Sequence, residues 1–300
     1  MRRGDHRAAW QISDAVLAAR DAAARDDPAL PYHQRWVWDG RPLDGRAVTV
    51  RCYHGLGDTI QFAQFIPMLA ARAASVTVEV QPELLRLIDA QDFAVRLLPF
   101  DPANPLPPGE ADGEADVEIM ELSHALRSAP SPMPYLKANA ARRGGVGICW
   151  QASPYDPARS IDAASLAPIL PPGSVSSLPR TASVSALPRT ATVSLQPHAA
   201  PFGWADGVGD GDVLDTARCI AGLSLVVSVD TMVAHLAAAL GRPTCLLLKS
   251  EADWRWGEGS QVDWYGTVRP LRQTIAGDWT PVLAALSDVV RAVDHGMGVA

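Results

Sequence analysis

No stretch of this 300-residue chain approaches the 18 or so uncharged apolar residues that a membrane span requires, so no integral membrane segment is expected. The N-terminus, Met1-Arg-Arg-Gly-Asp-His, leads into a charged, Ala-rich helix and not an apolar core, so no secretory leader is expected. Basic runs are missing too, and the net charge is −7. A nucleic-acid partner gripped through its phosphates is thereby excluded. Cysteine is scarce. Cys52, Cys149, Cys219 and Cys245 each sit singly in an apolar pattern, without C-x-x-C spacing. That reads as buried, reduced thiols in a cytoplasmic protein, with neither disulfides nor a metal site. What is present, 48% hydrophobic and 20% charged residues, is the composition of a globular chain of one large or two ordinary domains.

Apolar periodicity places an Ala-rich helical appendage within 1–35. A first α/β domain follows over 36–140, with strands at 47–53, 76–80, 95–100 and 116–121 and helices at 59–74 and 83–90. A proline-bearing linker over 129–143 precedes a second α/β domain at 141–278. There, strands at 145–150, 192–196, 223–229 and 244–248 alternate with helices at 162–170, 212–221 and 231–240. A final helix, 279–293, is expected to pack back on the first domain. Residues 174–182 and 183–191 are near-copies, Ser-Val-Ser-Ser-Leu-Pro-Arg-Thr-Ala and Ser-Val-Ser-Ala-Leu-Pro-Arg-Thr-Ala. Two units are too few for a solenoid, so the duplication reads as an expanded loop. Parallel βαβ succession in both halves implies two Rossmann-like domains with ligands held in a cleft between them.

Three strand-to-helix junctions carry polar residues suited to a ligand. Ser228-Val-Asp230-Thr231-Met-Val-Ala-His235 closes an apolar strand and opens a helix ending at Gly241-Arg-Pro243. Unpaired amides and the helix dipole favour an anion there, and His235 lies one turn in, at i+4 from Thr231. In His54-Gly55-Leu-Gly57-Asp58-Thr59 two glycines allow a tight turn and close approach of a ligand, and Asp58 is either a helix cap or a general base. A dinucleotide fingerprint with Glu79 as ribose ligand is discounted, because Ile60 stands where the third glycine belongs. After the strand ending at Trp150, Gln151 and Ser153 offer hydrogen bonds and Arg159 a bidentate grip on a diphosphate; Lys249 is a second cation. Trp254, Trp256, Trp264 and Tyr265 form an aromatic loop that suits either stacking on a ligand or packing.

Gly55-Leu-Gly57-Asp58-Thr59 with Phe62 and Pro67, Gly147-Ile-Cys-Trp150, Asp230-Thr231…His235 with Gly241-Arg-Pro243, and Asp253-Trp-Arg-Trp256 resemble glycosyltransferase family nine, the ADP-heptose:lipopolysaccharide heptosyltransferases. Within it the chain is most similar to the branch found behind tetratricopeptide repeats in bacterial proteins. The resemblance implies a GT-B fold, a nucleotide-sugar donor bound mainly by the second domain, a glycan, lipid or protein acceptor bound by the first, and inverting transfer with no metal or other cofactor. It casts Asp58 as catalytic base, Arg159 as a contact to the donor diphosphate and Asp230, Thr231 and His235 as the donor-binding motif; the residue reading above adds Gly55, Gly57 and Gln151 around the donor. Met232 departs from the glycine usual in heptosyltransferases, and the 174–191 duplication is a second departure. Two other classes stay open: a glycosyltransferase-like module that binds without catalysis, and a nicotinamide oxidoreductase using Gly55–Gly57.

Overall fold

The computed structural model of the chain describes residues 4–107, 109, 113–140, 144–170, 192–196 and 212–294. The duplicated segment at 174–191 lies outside the described residues. The chain divides after Ser131 into two compact units, each built on one parallel sheet. Pro132 to Leu136 already belong to the second unit. The amides of Tyr135 and Leu136 donate to Ala239 O at 3.0 and 3.1 Å, and Gly266 N donates to Pro132 O at 2.9 Å.

The first unit runs α1 (His6–Ala18), β1 (Ala47–Arg51), α2 (Leu56–Phe62), α3 (Ile66–Ala70), β2 (Ser75–Val80), α4 (Leu85–Asp89), β3 (Arg96–Pro99), β4 (Glu114–Glu118) and α5 (Leu122–Ala125). Its strands lie in the order β3-β2-β1-β4, with Val50 in register with Val78 on one side and Val117 on the other. All three valines are fully buried. The single helix expected over 59–74 is broken into α2, a 3₁₀ turn at Ala63–Phe65, and α3. Pro67 explains the break: it has no N–H to donate, and its ring crowds the carbonyl of Ala63. The N-terminal segment is fastened to this unit at several points. Tyr32 packs on Tyr53 and Phe100, with ring centroids 4.8 and 5.0 Å away, and Asp14 accepts a hydrogen bond of 2.8 Å from His124 and pairs with Arg127.

The second unit runs β5 (Val146–Cys149), α6 (Ala163–Leu166), β6 (Thr192–Ser194), α7 (Val213–Ala221), β7 (Leu225–Val229), α8 (Met232–Ala239), β8 (Thr244–Leu248), β9 (Val268–Arg272) and α9 (Thr280–Asp294). The strand order is β6-β5-β7-β8-β9. β9 was not legible as a strand, because Pro270 interrupts its pattern. Among the described residues it pairs only with β8, and an edge strand is where a missing backbone donor is tolerated. Period two puts Val146, Ile148, Leu225, Val227, Val229, Cys245 and Leu247 on one face, covered by Leu166 of α6 and by Val282, Leu286, Val289 and Val290 of α9. The C-terminal helix therefore buries its apolar stripe in the core of the second unit, where each such side chain contributes about 1.5–3 kcal/mol.

Two glycines in this unit are required. Gly241 terminates α8 at φ +70°, and a Cβ there would lie 2.6 Å from Pro134 Cγ. Gly147, mid-strand in β5, lies under Leu223 and Leu195, whose Cδ1 atoms would stand 2.5 and 2.7 Å from an added Cβ. Gly147→Ala is expected to cost about 1–3 kcal/mol by overpacking. A urea midpoint unchanged from wild type would show that the two leucines yield freely.

Candidate functional site

In open parallel sheets the ligand crevice lies beyond the carboxyl ends of the strands where the order reverses. In the first unit that point is between β1 and β4, and in the second between β5 and β7. Every candidate site residue singled out from the sequence follows one of these strands, apart from Lys249 and the aromatic loop of Trp254, Trp256, Trp264 and Tyr265, which come after β8.

At the end of β1, the helix starts earlier than expected. Gly55 is the N-cap of α2, with φ −70° and ψ 161°, Gly57 falls in the first turn, and Asp58 is the third helical residue. The Asp58 carboxylate reaches back to accept a hydrogen bond from Gly55 N at 3.0 Å, half of a capping box. The glycines are thus not needed for a left-handed turn. Gly55 matters for space, since a Cβ there would sit 3.2 Å from Asp58 Oδ2. Asp58 remains partly exposed at the helix N-terminus.

Gln81, at the end of β2, holds this loop from below. Its Nε2 donates to His54 O at 2.8 Å, while its Oε1 accepts from the buried Thr59 hydroxyl at 3.0 Å. Across the switch point, His54 Nδ1 lies 3.1 Å from Oε1 of the buried Glu118, an ion pair when the imidazole is protonated. Neither Gln81 nor Glu118 was recognised from sequence. The available signal was a polar residue closing an otherwise apolar strand.

In the second unit, Arg159, Asp230, Thr231 and Ser153 come together. Arg159 Nη1 donates to Asp230 O at 3.2 Å and lies 3.9 Å from Asp230 Oδ2, and Nη2 donates to Ser153 Oγ at 3.3 Å. Lys249 is tied to the same cluster through Asp156, whose Oδ2 accepts from its Nζ at 2.6 Å and lies 3.8 Å from Arg159 Nε. The Lys249 hydrogen bond holds the Asp156 carboxyl below the usual carboxylate range, despite slight desolvation. Asp230 behaves oppositely. Burial raises its pKa, against the Trp256 indole N–H and the Arg159 charge. The indole nitrogen has no aligned acceptor among the described residues, so it acts on Asp230 by proximity.

Thr231 is the N-cap of α8, yet its side chain does not cap the helix. Its hydroxyl turns back toward the strand, 3.1 Å from Ser228 Oγ and 3.6 Å from Cys149 Sγ. Gln151 has an exposed side chain, and its backbone is clamped by Gln196, whose Oε1 accepts from Gln151 N at 3.0 Å.

His235 is placed elsewhere. It is 5% exposed, stacked on Trp256 at 4.7 Å, with Nδ1 2.9 Å from the Tyr265 hydroxyl. Desolvation, and secondarily the Arg255 charge, lower its pKa to about 3, so the ring is neutral at physiological pH. His235 thus belongs to a packed aromatic cluster with Trp256 and Tyr265. Trp256 and Tyr265 are likewise buried, so their role is packing, not stacking on a ligand. Among the described residues no three His, Cys, Asp or Glu side chains gather as metal ligands, and no helix is long and apolar enough to cross a membrane.

Residues 209–258, which include Asp230, Thr231 and His235, match the family model for glycosyltransferase family 9 (heptosyltransferase). No curated protein matches the chain in sequence. Among solved structures, a family 9 glycosyl transferase of Veillonella parvula aligns with a TM-score of 0.57 at 11% identity, covering 85% of this chain and 98% of that one. The iron-containing dodecameric glycosyltransferase TibC of enterotoxigenic E. coli aligns at 0.53 and 15% identity, over 79% of this chain and 65% of TibC. TibC in complex with ADP-D-β-D-heptose aligns at 0.51 and 14% identity, with the same coverage. At such identities the likeness is one of fold. The chain thus has the two-sheet α/β fold of GT-B glycosyltransferases, and the family 9 signature on the segment bearing Asp230, Thr231 and His235 supports a glycosyltransferase.

Proposed function

We propose that the protein is an inverting, metal-independent glycosyltransferase that moves a sugar from a nucleotide-sugar donor to a hydroxyl of a glycan, lipid or protein acceptor. The second unit binds the donor. The observation that carries this reading is the convergence of Arg159 on the Asp230–Thr231 start of α8, within the matched segment. No side chain caps α8, and Arg159 Nε is buried without an aligned acceptor among the described residues. A diphosphate would satisfy both, and the helix dipole with Arg159 would stabilise the charge of the leaving group, the part a metal plays elsewhere. Asp230 and Gln151 orient the sugar or ribose. His235 contributes as a positioning residue through Trp256.

The first unit supplies the base. The acceptor oxygen bonds to the anomeric carbon as the bond to the diphosphate breaks, and the hydroxyl proton passes to Asp58. Four buried cysteines suit a reducing cytoplasmic setting.

Arg159→Ala is expected to weaken donor binding by about 10- to 150-fold, the range for a hydrogen bond to a charged group. Calorimetric titration with ADP-heptose and a panel of other nucleotide sugars checks this. Unchanged affinity would remove Arg159 from the donor site. If no nucleotide sugar shifts the melting temperature of the wild type, the non-catalytic module replaces this reading; a saturating ligand at one hundred times Kd stabilises by about 2.7 kcal/mol.

A further inference from the structure

Within the first unit, the segment that precedes the sheet encloses a pocket of about 350 Å³, lined by Arg20, Arg25, Arg41, Trp36, Asp39 and Leu17 among others. Three guanidinium groups face one carboxylate. Asp39 accepts from Arg41 N at 3.0 Å and Arg41 Nε at 2.6 Å, with Arg25 Nη1 at 3.4 Å. Burial alone would raise its pKa, but these bonds and charges outweigh that and lower it, so Asp39 is ionised at neutral pH.

Arg20 lies over the Trp36 ring, 5.0 Å from its centroid, and makes no side-chain hydrogen bond among the described residues. Its nearest carboxylate is Glu121, 3.8 Å away. Burial pushes the Glu121 carboxyl up to about 7, so at neutral pH it is only a partial counter-ion. The pocket therefore carries positive charge that its own walls do not neutralise. Guanidinium forks match the planar or tetrahedral oxygens of carboxylate and phosphate, and an indole face suits the apolar side of a sugar ring.

Its position matters as much as its charge. The same segment is joined to the carboxyl ends of both switch-point strands: the Tyr53 hydroxyl, just after β1, donates to Asp26 at 3.4 Å, and Glu121, just after β4, accepts from Trp38 N at 2.9 Å. The segment that lines the pocket is thus tied to the end of the sheet that carries Asp58.

We propose that this pocket binds the phosphate or carboxylate group of an anionic sugar, which, on the glycosyltransferase reading above, belongs to the acceptor. Only the word acceptor depends on that reading; the anion site does not.

The test is calorimetric titration of the full chain with glucose 6-phosphate, glucuronate and uncharged glucose. Wild type is expected to bind at least one charged probe, more weakly as salt rises, and to bind glucose far less. The phosphate and carboxylate arms decide which anion is taken. Arg20→Gln and Arg41→Gln should each lower affinity for that probe about tenfold or more. Asp39→Asn, which removes the competing carboxylate, should raise it. ADP binding should be the same in all three variants, which separates this pocket from the donor site. Equal binding of charged and neutral probes by wild type would overturn the proposal without recourse to any variant. So would unchanged affinity in both arginine variants. If charged sugars bind as expected but no donor is turned over, the anion site stands and the glycosyltransferase reading falls; the converse result removes the pocket alone.

Discussion

Asp58→Asn is expected to reduce nucleotide release by about 10²- to 10⁴-fold, the usual contribution of a positioned general base. The substitution separates the helix cap that Asp58 forms from the base role proposed for it. Its carboxylate accepts a hydrogen bond from Gly55 N at the first turn of α2, and an asparagine carbonyl accepts that bond equally well. What asparagine cannot do is hold the proton of an acceptor hydroxyl. Turnover should therefore collapse while donor affinity and melting temperature stay near wild type. Asp58→Ala adds the loss of the cap and should cost about 1 kcal/mol of stability besides. Wild-type turnover by the Asn variant would reduce Asp58 to a helix cap and end its part in the mechanism.

Arg51→Met is the largest expected loss of stability, about 3–5 kcal/mol, the cost of removing one partner from a buried ionic cluster. Arg51, at the end of β1, is 1% exposed, and the side chains of its partners Glu79 and Asp116 are 1% and 2% exposed. Its guanidinium is fully used. Nε donates to Asp116 at 3.0 Å, Nη1 to Glu79 at 2.9 Å and Leu106 O at 3.1 Å, and Nη2 to Asp116 at 2.6 Å and Pro107 O at 3.0 Å. Methionine fills much of the volume but leaves two buried carboxylates facing each other without a cation, and two loop carbonyls without a donor. Lysine has three donors and no fork, so it cannot substitute.

Urea unfolding of both proteins at pH 7 measures the loss. A deficit under about 1 kcal/mol at pH 7 would mean that water reaches the cluster and screens it.

The parts that were readable from the chain are those governed by neighbours in sequence. Apolar runs such as Leu225–Val229 fix strands, and the polar and glycine residues at their ends mark, to within a turn, where helices begin; the strand order then places those junctions at the crevice ends of the two sheets. Even the correction at Asp58 is local, because Gly55 and Asp58 are three residues apart and a capping box is a sequence pattern. Other features depend on residues far apart in the chain. Arg51 reads as one polar residue ending an apolar strand until β2 and β4 bring Glu79 and Asp116 to it. The arginine pocket needs Arg20, Arg25 and Arg41 gathered around Trp36 and Asp39.

His235 is the clearest case. Its place on α8 follows from spacing, but its burial and neutral ring depend on Trp256 and Tyr265, which arrive after β8 and pack against it. Periodicity determines which elements form and where their ends fall, because backbone preferences act over a few residues. Burial, and with it the charge state and role of each polar side chain, is decided only when distant elements pack and take water away.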